Sequence, residues 1–177
     1  MTSKNDTQEN PMRKIRISKV TLSIALKESG ENVEKAYTLA ERLTGLKPVR
    51  TLATRKARTF RLRRGLPIGV KVTLRNKKSM EFLKNVLVAK ENKLTMNNFD
   101  NEGNFGFGVS EYLDVPGQKY DPKIGMLGFN VNVSLERPGF RIKRRKIQKR
   151  KLSINHRILK NDAIDFATKE VGIKIKK

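Results

Sequence analysis

The chain has no cysteine, no tryptophan and one histidine, and only three tyrosines and eight phenylalanines in 177 residues. Without cysteine neither a disulfide framework nor a thiolate metal site can form, and a reducing compartment is permitted. A lone histidine, His156, excludes a histidine-rich metal site. No run approaches the roughly 18 to 20 consecutive apolar residues of a membrane span. The N-terminus, Met1 to Glu9, is polar and lacks the apolar core of a signal peptide. No membrane partner is expected, and the chain should stay inside the cell.

The most informative deficit is of negative charge, and it is local. Between Glu41 and Glu81 stand 39 residues with no carboxylate and 13 Lys or Arg, and from Arg137 to Lys160 stand 24 residues with no carboxylate and 11 Lys or Arg. The formal net charge of +23 therefore sits in two segments of an otherwise near-neutral chain. Self-repulsion on this scale works against a compact state unless a dense, extended polyanion is the partner. Nucleic acid is the first candidate.

Reaction chemistry is missing as well. There is no GxxxxGK[ST] phosphate loop, no GxSxG elbow and no HExxH pair. His156 lies inside a cationic stretch, which suits a structural or RNA-contacting role. Gly103, Gly106 and Gly108 do not match GxGxxG and mark a turn entering a strand. Asp162 and Asp165 fit the positive first turn of a helix better than an acid–base pair. No catalytic residue, cofactor or metal is expected.

What is present is periodic. Residues 1–11 have no hydrophobic period and read as a mobile tail, leaving 12–177 as a single domain. Val20, Leu22, Ile24 and Leu26 alternate with polar partners as a first strand. Val33, Ala36, Tyr37, Ala40 and Leu43 follow helical spacing to Gly45. Pro48 to Ala53 can form a short strand, and Thr54 to Pro67 reads as a long cationic loop. Ile68, Val70, Val72 and Leu74 face one way and Lys71, Thr73 and Arg75 the other. Ser79 can cap a second helix carrying Met80, Leu83, Val86 and Leu87 on one side.

Phe105, Phe107, Val109, Glu111 and Leu113 alternate as a further strand. Pro116 to Gly128 is a structured loop. Phe129, Val131, Val133 and Leu135 form the last long strand. A final helix is capped by Asn161 and ends at Gly172. The order βαββαββα predicts an α+β fold, a mainly antiparallel sheet with helices packed on one face and long basic loops.

Lys and Arg neutralise phosphates and release counterions, which makes binding strong and salt-dependent. The polar sides of the strands offer Thr21, Ser23, Lys71, Thr73 and Arg75 but no Phe or Tyr on which bases could stack. Shape and backbone recognition of folded RNA is therefore favoured over reading of single strands. The phenylalanines, Phe105, Phe107, Phe129 and Phe140, belong to the core. A general RNA- or DNA-compacting basic protein without a fixed site is the alternative reading.

Several ordered blocks carry a family resemblance: Asn10 to Ile15 (NPMRKI), Lys19 to Leu22 (KVTL), Leu43 to Val49 (LTGLKPV), Pro67 to Arg75 (PIGVKVTLR), Asn98 to Asp100 (NFD), Gly103 to Gly108 (GNFGFG), Tyr120 to Pro122 (YDP), Arg137 to Gly139 (RPG) and His156 to Ile158 (HRI). Together, from about residue 10 to 172, they resemble the large-ribosomal-subunit protein five family. The last two blocks resemble its archaeal and eukaryotic branch, in which the eukaryotic member is called protein eleven.

The resemblance implies a cytoplasmic ribosomal protein of the central protuberance that binds 5S rRNA and large-subunit rRNA and reaches P-site tRNA with a basic loop. The implied 5S rRNA contacts are Thr21, Ser23, Lys47, Lys71, Thr73 and Arg75. Three polar positions mark that contact in the family, and here they fall at Ser23, Leu46 and Thr73, of which only the threonine is kept. The tRNA loop corresponds to Thr54 to Gly65 with Arg55, Lys56, Arg58, Arg61, Arg63 and Arg64. Other rRNA contacts fall to Arg141, Lys143, Arg144, Arg145, Lys146, Lys149, Arg150, Lys151, His156 and Arg157, and the stretch from Arg141 to Lys151 is too dense in charge to fold alone. The region from Glu111 to Gly125 would face a small-subunit protein, beside other neighbouring ribosomal proteins.

Overall fold

Val20, Leu22 and Ile24, Val70, Val72 and Leu74, and Val131, Val133 and Leu135 stand side by side on one face of an antiparallel sheet, all buried. The computed structural model describes residues 10–26, 30–59 and 62–176. In chain order its elements are β1 (Arg16–Ala25), α1 (Glu31–Thr44), β2 (Val49–Leu52), β3 (Pro67–Leu74), α2 (Lys77–Val88), β4 (Lys93–Thr95), β5 (Phe105–Val109), β6 (Phe129–Glu136), α3 (Arg141–Arg144), α4 (Lys160–Phe166) and β7 (Lys174–Lys176).

Five strands pair in the order β2-β3-β1-β6-β5, all antiparallel, so β1 lies at the centre between two partners that are distant in the chain. The apolar stripe of α1, with Val33, Ala36, Leu39 and Ala40 buried, packs on β3. That of α2, with Phe82, Leu83, Val86 and Leu87 buried, packs on β1. Both helices cover one face, and the single-domain α+β architecture is the one the periodicity predicts. Phe105, Phe107 and Phe129 are in the core as expected, while Phe140 is half-buried against its edge.

Local expectations fail where tertiary packing overrides a local signal. Ser79 is not the cap of α2 but lies one turn inside it, buried, its Oγ donating to the Asn76 carbonyl at 2.6 Å. Asn76 holds the cap position at a positive φ. Asn161 does not cap α4 either: Leu159 precedes the helix, and its N–H donates to the Asp162 carboxylate at 3.3 Å. After Phe166 the chain widens into a π-helical turn, Ala167–Val171, that ends at Gly172 in the left-handed region.

β5 stops at Val109, so Glu111 and Leu113 lie outside it. Tyr112 leaves the strand to be buried completely in a 3-10 turn, its hydroxyl accepting from the Asp121 N–H at 3.0 Å. The parallel pair β4–β7 is invisible to periodicity because each strand is three residues long. Of the expected tail, residues 1–9 lie outside the described residues, whereas Asn10 and Pro11 begin a 3-10 turn in which Asn10 Oδ1 accepts from the Met12 N–H.

Candidate nucleic-acid interface

The face of the sheet opposite the helices is polar. Register places Thr73, Thr21 and Asn132 in one rung and Lys71, Ser23 and Asn130 in the next, with Gly106 and Gly108 of β5 completing the two rungs. Lys19 pairs with Ser134 one rung further along, after a bulge at Ser18 that keeps Ile17 and Val20 on the core side. Lys71, Thr73, Asn130 and Asn132 are exposed, so no described element covers them. The two strand glycines have a steric role: a Cβ at Gly106 would lie 2.5 Å from Asn132 Oδ1, and one at Gly108 2.9 Å from Asn130 Oδ1. Bare backbone on β5 leaves the asparagine amides room to lie flat across the edge strand.

This ladder includes four of the sequence-predicted positions, Thr21, Ser23, Lys71 and Thr73, and it adds Asn130, Asn132 and Ser134. The signal for the additions was already in the period of β6, whose polar alternates face the same way as those of β1 and β3. Arg75 follows β3 and is exposed, next to Lys77 and Lys78 at the start of α2. Two lysines there oppose the helix dipole and help the helix little by themselves. Lys47 is exposed just before β2. Leu46 packs against the hydrophobic core, so its side chain does not reach the polar face.

The cationic stretch between β2 and β3 is a hairpin rather than an open loop. Ala53 and Leu66 close its base, and Ala57 and Leu62 exchange both backbone hydrogen bonds at 3.1 and 3.0 Å. Arg55, Lys56, Arg58, Arg63 and Arg64 are exposed along it, and none pairs with a carboxylate among the described residues. Arg61 lies outside the described residues. Two cations of the same acid-free segment do have internal work. Arg42 reaches Asp121 at 3.5 Å, and Arg50 binds Glu34 at 2.9 Å while lying over the Tyr37 ring.

The second cationic segment leaves β6 at the other end of the sheet and folds back on the body. Expected to be too charged to fold alone, it is held by carboxylates from outside itself. Arg144 pairs with Glu136 at 2.7 Å and Lys143 with Glu102 at 3.0 Å. Arg137, with its side chain 11% exposed, binds Asp162 at 2.9 Å and donates to the Arg157 carbonyl at 3.1 Å. His156 Nε2 donates to the Pro138 carbonyl at 2.8 Å, and the ring meets Phe140 edge-on at 5.8 Å. His156 thus staples two turns together. Arg141, Arg145, Lys146, Lys149, Arg150, Lys151 and Arg157 have no carboxylate partner among the described residues. Arg145 donates to the Gln148 carbonyl.

Among the described residues no three His, Asp or Glu side chains converge to hold a metal, and no helix is long and apolar enough to cross a membrane. A sheet sealed by helices on one face and polar on the other, with cations at both ends that have no carboxylate partner among the described residues, is the architecture of a protein built to meet a polyanion. The model of the family "Ribosomal protein L5" matches residues 10–63, and the model of the C-terminus of the same ribosomal family matches residues 67–166. The chain is 49% identical to the large ribosomal subunit protein uL5 of Nanoarchaeum equitans, covering 94% of this chain and 99% of that one. It is 47% identical to the protein of the same name from Sulfurisphaera tokodaii, with 94% of each chain covered, and 46% identical to that from Archaeoglobus fulgidus over 88% and 87%.

The chain belongs to the ribosomal protein L5 family, in its archaeal form. It is a component of the large ribosomal subunit and not an enzyme. The two matched halves meet within the cationic hairpin, yet β1 and β2 of the first pair with β3 and β6 of the second. The sequence boundary is not a structural one.

Proposed function

We propose that the protein binds 5S rRNA through the open face of its sheet, with Thr21, Ser23, Lys71, Thr73, Asn130 and Asn132 meeting the backbone and 2′-hydroxyls, and Lys47 and Arg75 at the margins. The observation that carries this reading is the in-register polar ladder left bare beside unpaired cations. Hydroxyls, amides and ammonium groups supply donors for phosphates and both donors and acceptors for 2′-hydroxyls, and the ladder has no aromatic on which a base could stack. Ser23 and the flanking asparagines supply polar contacts that Leu46 cannot.

The hairpin with Arg55, Lys56, Arg58, Arg61, Arg63 and Arg64 acts as a cationic finger toward P-site tRNA. Its contacts must be to the backbone, because successive tRNAs differ in sequence. The segment after β6 binds large-subunit rRNA, and the loop around Glu111 to Gly125 faces a small-subunit protein. On this reading the chain works on cytoplasmic ribosomes.

The test is binding of purified protein to 5S rRNA and to an unrelated duplex of equal length at physiological salt. A one-to-one complex with 5S rRNA, weakened about tenfold or more by Thr73→Val with Arg75→Ser, is expected for two lost polar contacts. Equal affinity for both RNAs would show a general compacting protein instead.

A further inference from the structure

Between the segment after β6 and the turn at Asn101 and Glu102 lies a groove of about 1060 Å³. That volume lies just above the range of roughly 300 to 1,000 Å³ of pockets that hold small organic ligands. Its floor is apolar, built from Phe140, Leu152, Ile154, Ile158 and Leu159. Its rim is cationic, with Lys149, Arg150, Lys151 and Arg157 all lacking a carboxylate partner among the described residues. The one carboxylate present, Glu102, is already neutralised by Lys143.

Ile158 and Phe140 connect this floor to the core, but the rest of it reaches the surface. Ile154 is 76% exposed and Leu159 58% exposed, and large apolar side chains exposed in one groove mark a place where something docks. A regular RNA duplex would use only half of the groove, because it presents phosphates, sugars and base edges in a shallow minor groove and has nothing to fill an apolar floor. A nucleotide turned out of its stack presents both parts, a flat apolar base and an attached phosphate. Arg150 and Arg157 add guanidinium planes against which a base can lie. Charge complementarity therefore selects RNA, and the floor selects an unpaired nucleotide within it.

We infer that this groove receives a bulged or looped-out nucleotide of ribosomal RNA, the base on Ile154 and Leu159 and its phosphates on Lys149, Arg150 and Lys151. The inference rests on the reading that this segment binds rRNA and adds the recognition mode. The Pro138–His156 hydrogen bond and the Phe140–His156 contact hold Phe140, one of the lining residues, in place before RNA arrives.

The experiment uses the full-length protein and two RNA hairpins that differ only in a single bulged 2-aminopurine, with fluorescence reporting on that base and titration reporting affinity. The expected result is a fluorescence change on binding and about tenfold tighter binding of the bulged hairpin, the scale of one stacking contact. Ile154→Ser with Leu159→Ser, both exposed positions, should abolish that preference and leave affinity for the fully paired hairpin unchanged. Lys149→Ser, Arg150→Ser and Lys151→Ser together should weaken both hairpins alike.

Equal binding of both hairpins by the unaltered protein, or a preference that survives the Ile154/Leu159 change, overturns the inference while leaving rRNA binding intact. Loss of no affinity in the triple cation variant would instead remove the underlying rRNA reading. A peptide of alternating Glu and Leu that binds through Ile154 and Leu159 and is not displaced by the bulged hairpin would assign the groove to a protein and also overturn it.

Discussion

The two acid-free segments are nearly alike as sequence and unlike as structure. The hairpin between β2 and β3 holds its shape by its own backbone, and among the described residues its cations touch no carboxylate. The segment after β6 is pinned to the body by Glu136, Glu102 and the Arg137–Asp162 pair, with His156 as a staple. Strand direction puts them at opposite ends of the sheet, separated by the ten residues of β1, or roughly 30 Å at about 3.3 Å per residue. A run of positive charge can therefore stand on its own backbone, or be anchored to the body through the protein's own acids. In the second case only part of its charge is left to face outward.

The sharpest way to break this contrast is at Arg137. Arg137→Ala leaves Asp162 and the Arg157 carbonyl without their guanidinium, and should cost about 1 to 3 kcal/mol, the lower part of that range reflecting the 38% exposure of the Asp162 side chain. Denaturant unfolding measures it. Limited proteolysis should then cut the segment after β6 first, and a stability within error of the unaltered protein would show that the segment holds itself up.

A smaller effect on folding, but a large one on binding, is expected from the hairpin. Replacing Arg55, Lys56, Arg58, Arg63 and Arg64 by Ser should shift stability by no more than about 0.5 kcal/mol, since exposed side chains without partners contribute little. P-site tRNA retention on ribosomes should fall, and its dependence on log salt should flatten by up to about 4 units if all five meet phosphates. Binding to 5S rRNA should change little, and its collapse with tRNA retention intact would assign the hairpin to the other RNA.

The smallest change sharpens the comparison from the other side. Glu102→Gln releases Lys143 from a pair in which both side chains are more than half exposed, so stability should move by less than about 1 kcal/mol. Affinity of the segment for RNA should rise slightly, and more at low salt. A loss of affinity would mean that Glu102 positions Lys143 rather than restrains it.

Much of this was legible in the chain. The period of two in β1, β3 and β6 and the helical stripes of α1 and α2 specify which side chains are buried, because a half-buried element must alternate in step with its own geometry. The same alternation exposed Thr21, Ser23, Lys71 and Thr73, and applied to β6 it would have found Asn130 and Asn132. Local signals misled at Ser79 and Asn161, where good capping residues stand as the third and the second residue of their helices. At α4 the decision belonged to Asp162, which is fixed by Arg137 just beyond β6.

What the sequence determined by itself was the fold class and the placement of its positive charge, which calls for a polyanionic partner, since these follow from periodicity, residue types and charge counted along the chain. What only the tertiary structure decided was which cations are already paired. Arg42 on Asp121, Arg50 on Glu34, Lys143 on Glu102 and Arg144 on Glu136 are all pairs between residues far enough apart that no linear pattern joins them. Electrostatic pairing acts over a few ångströms of space and not along the sequence, so the charge that remains for RNA is known only once the chain is folded.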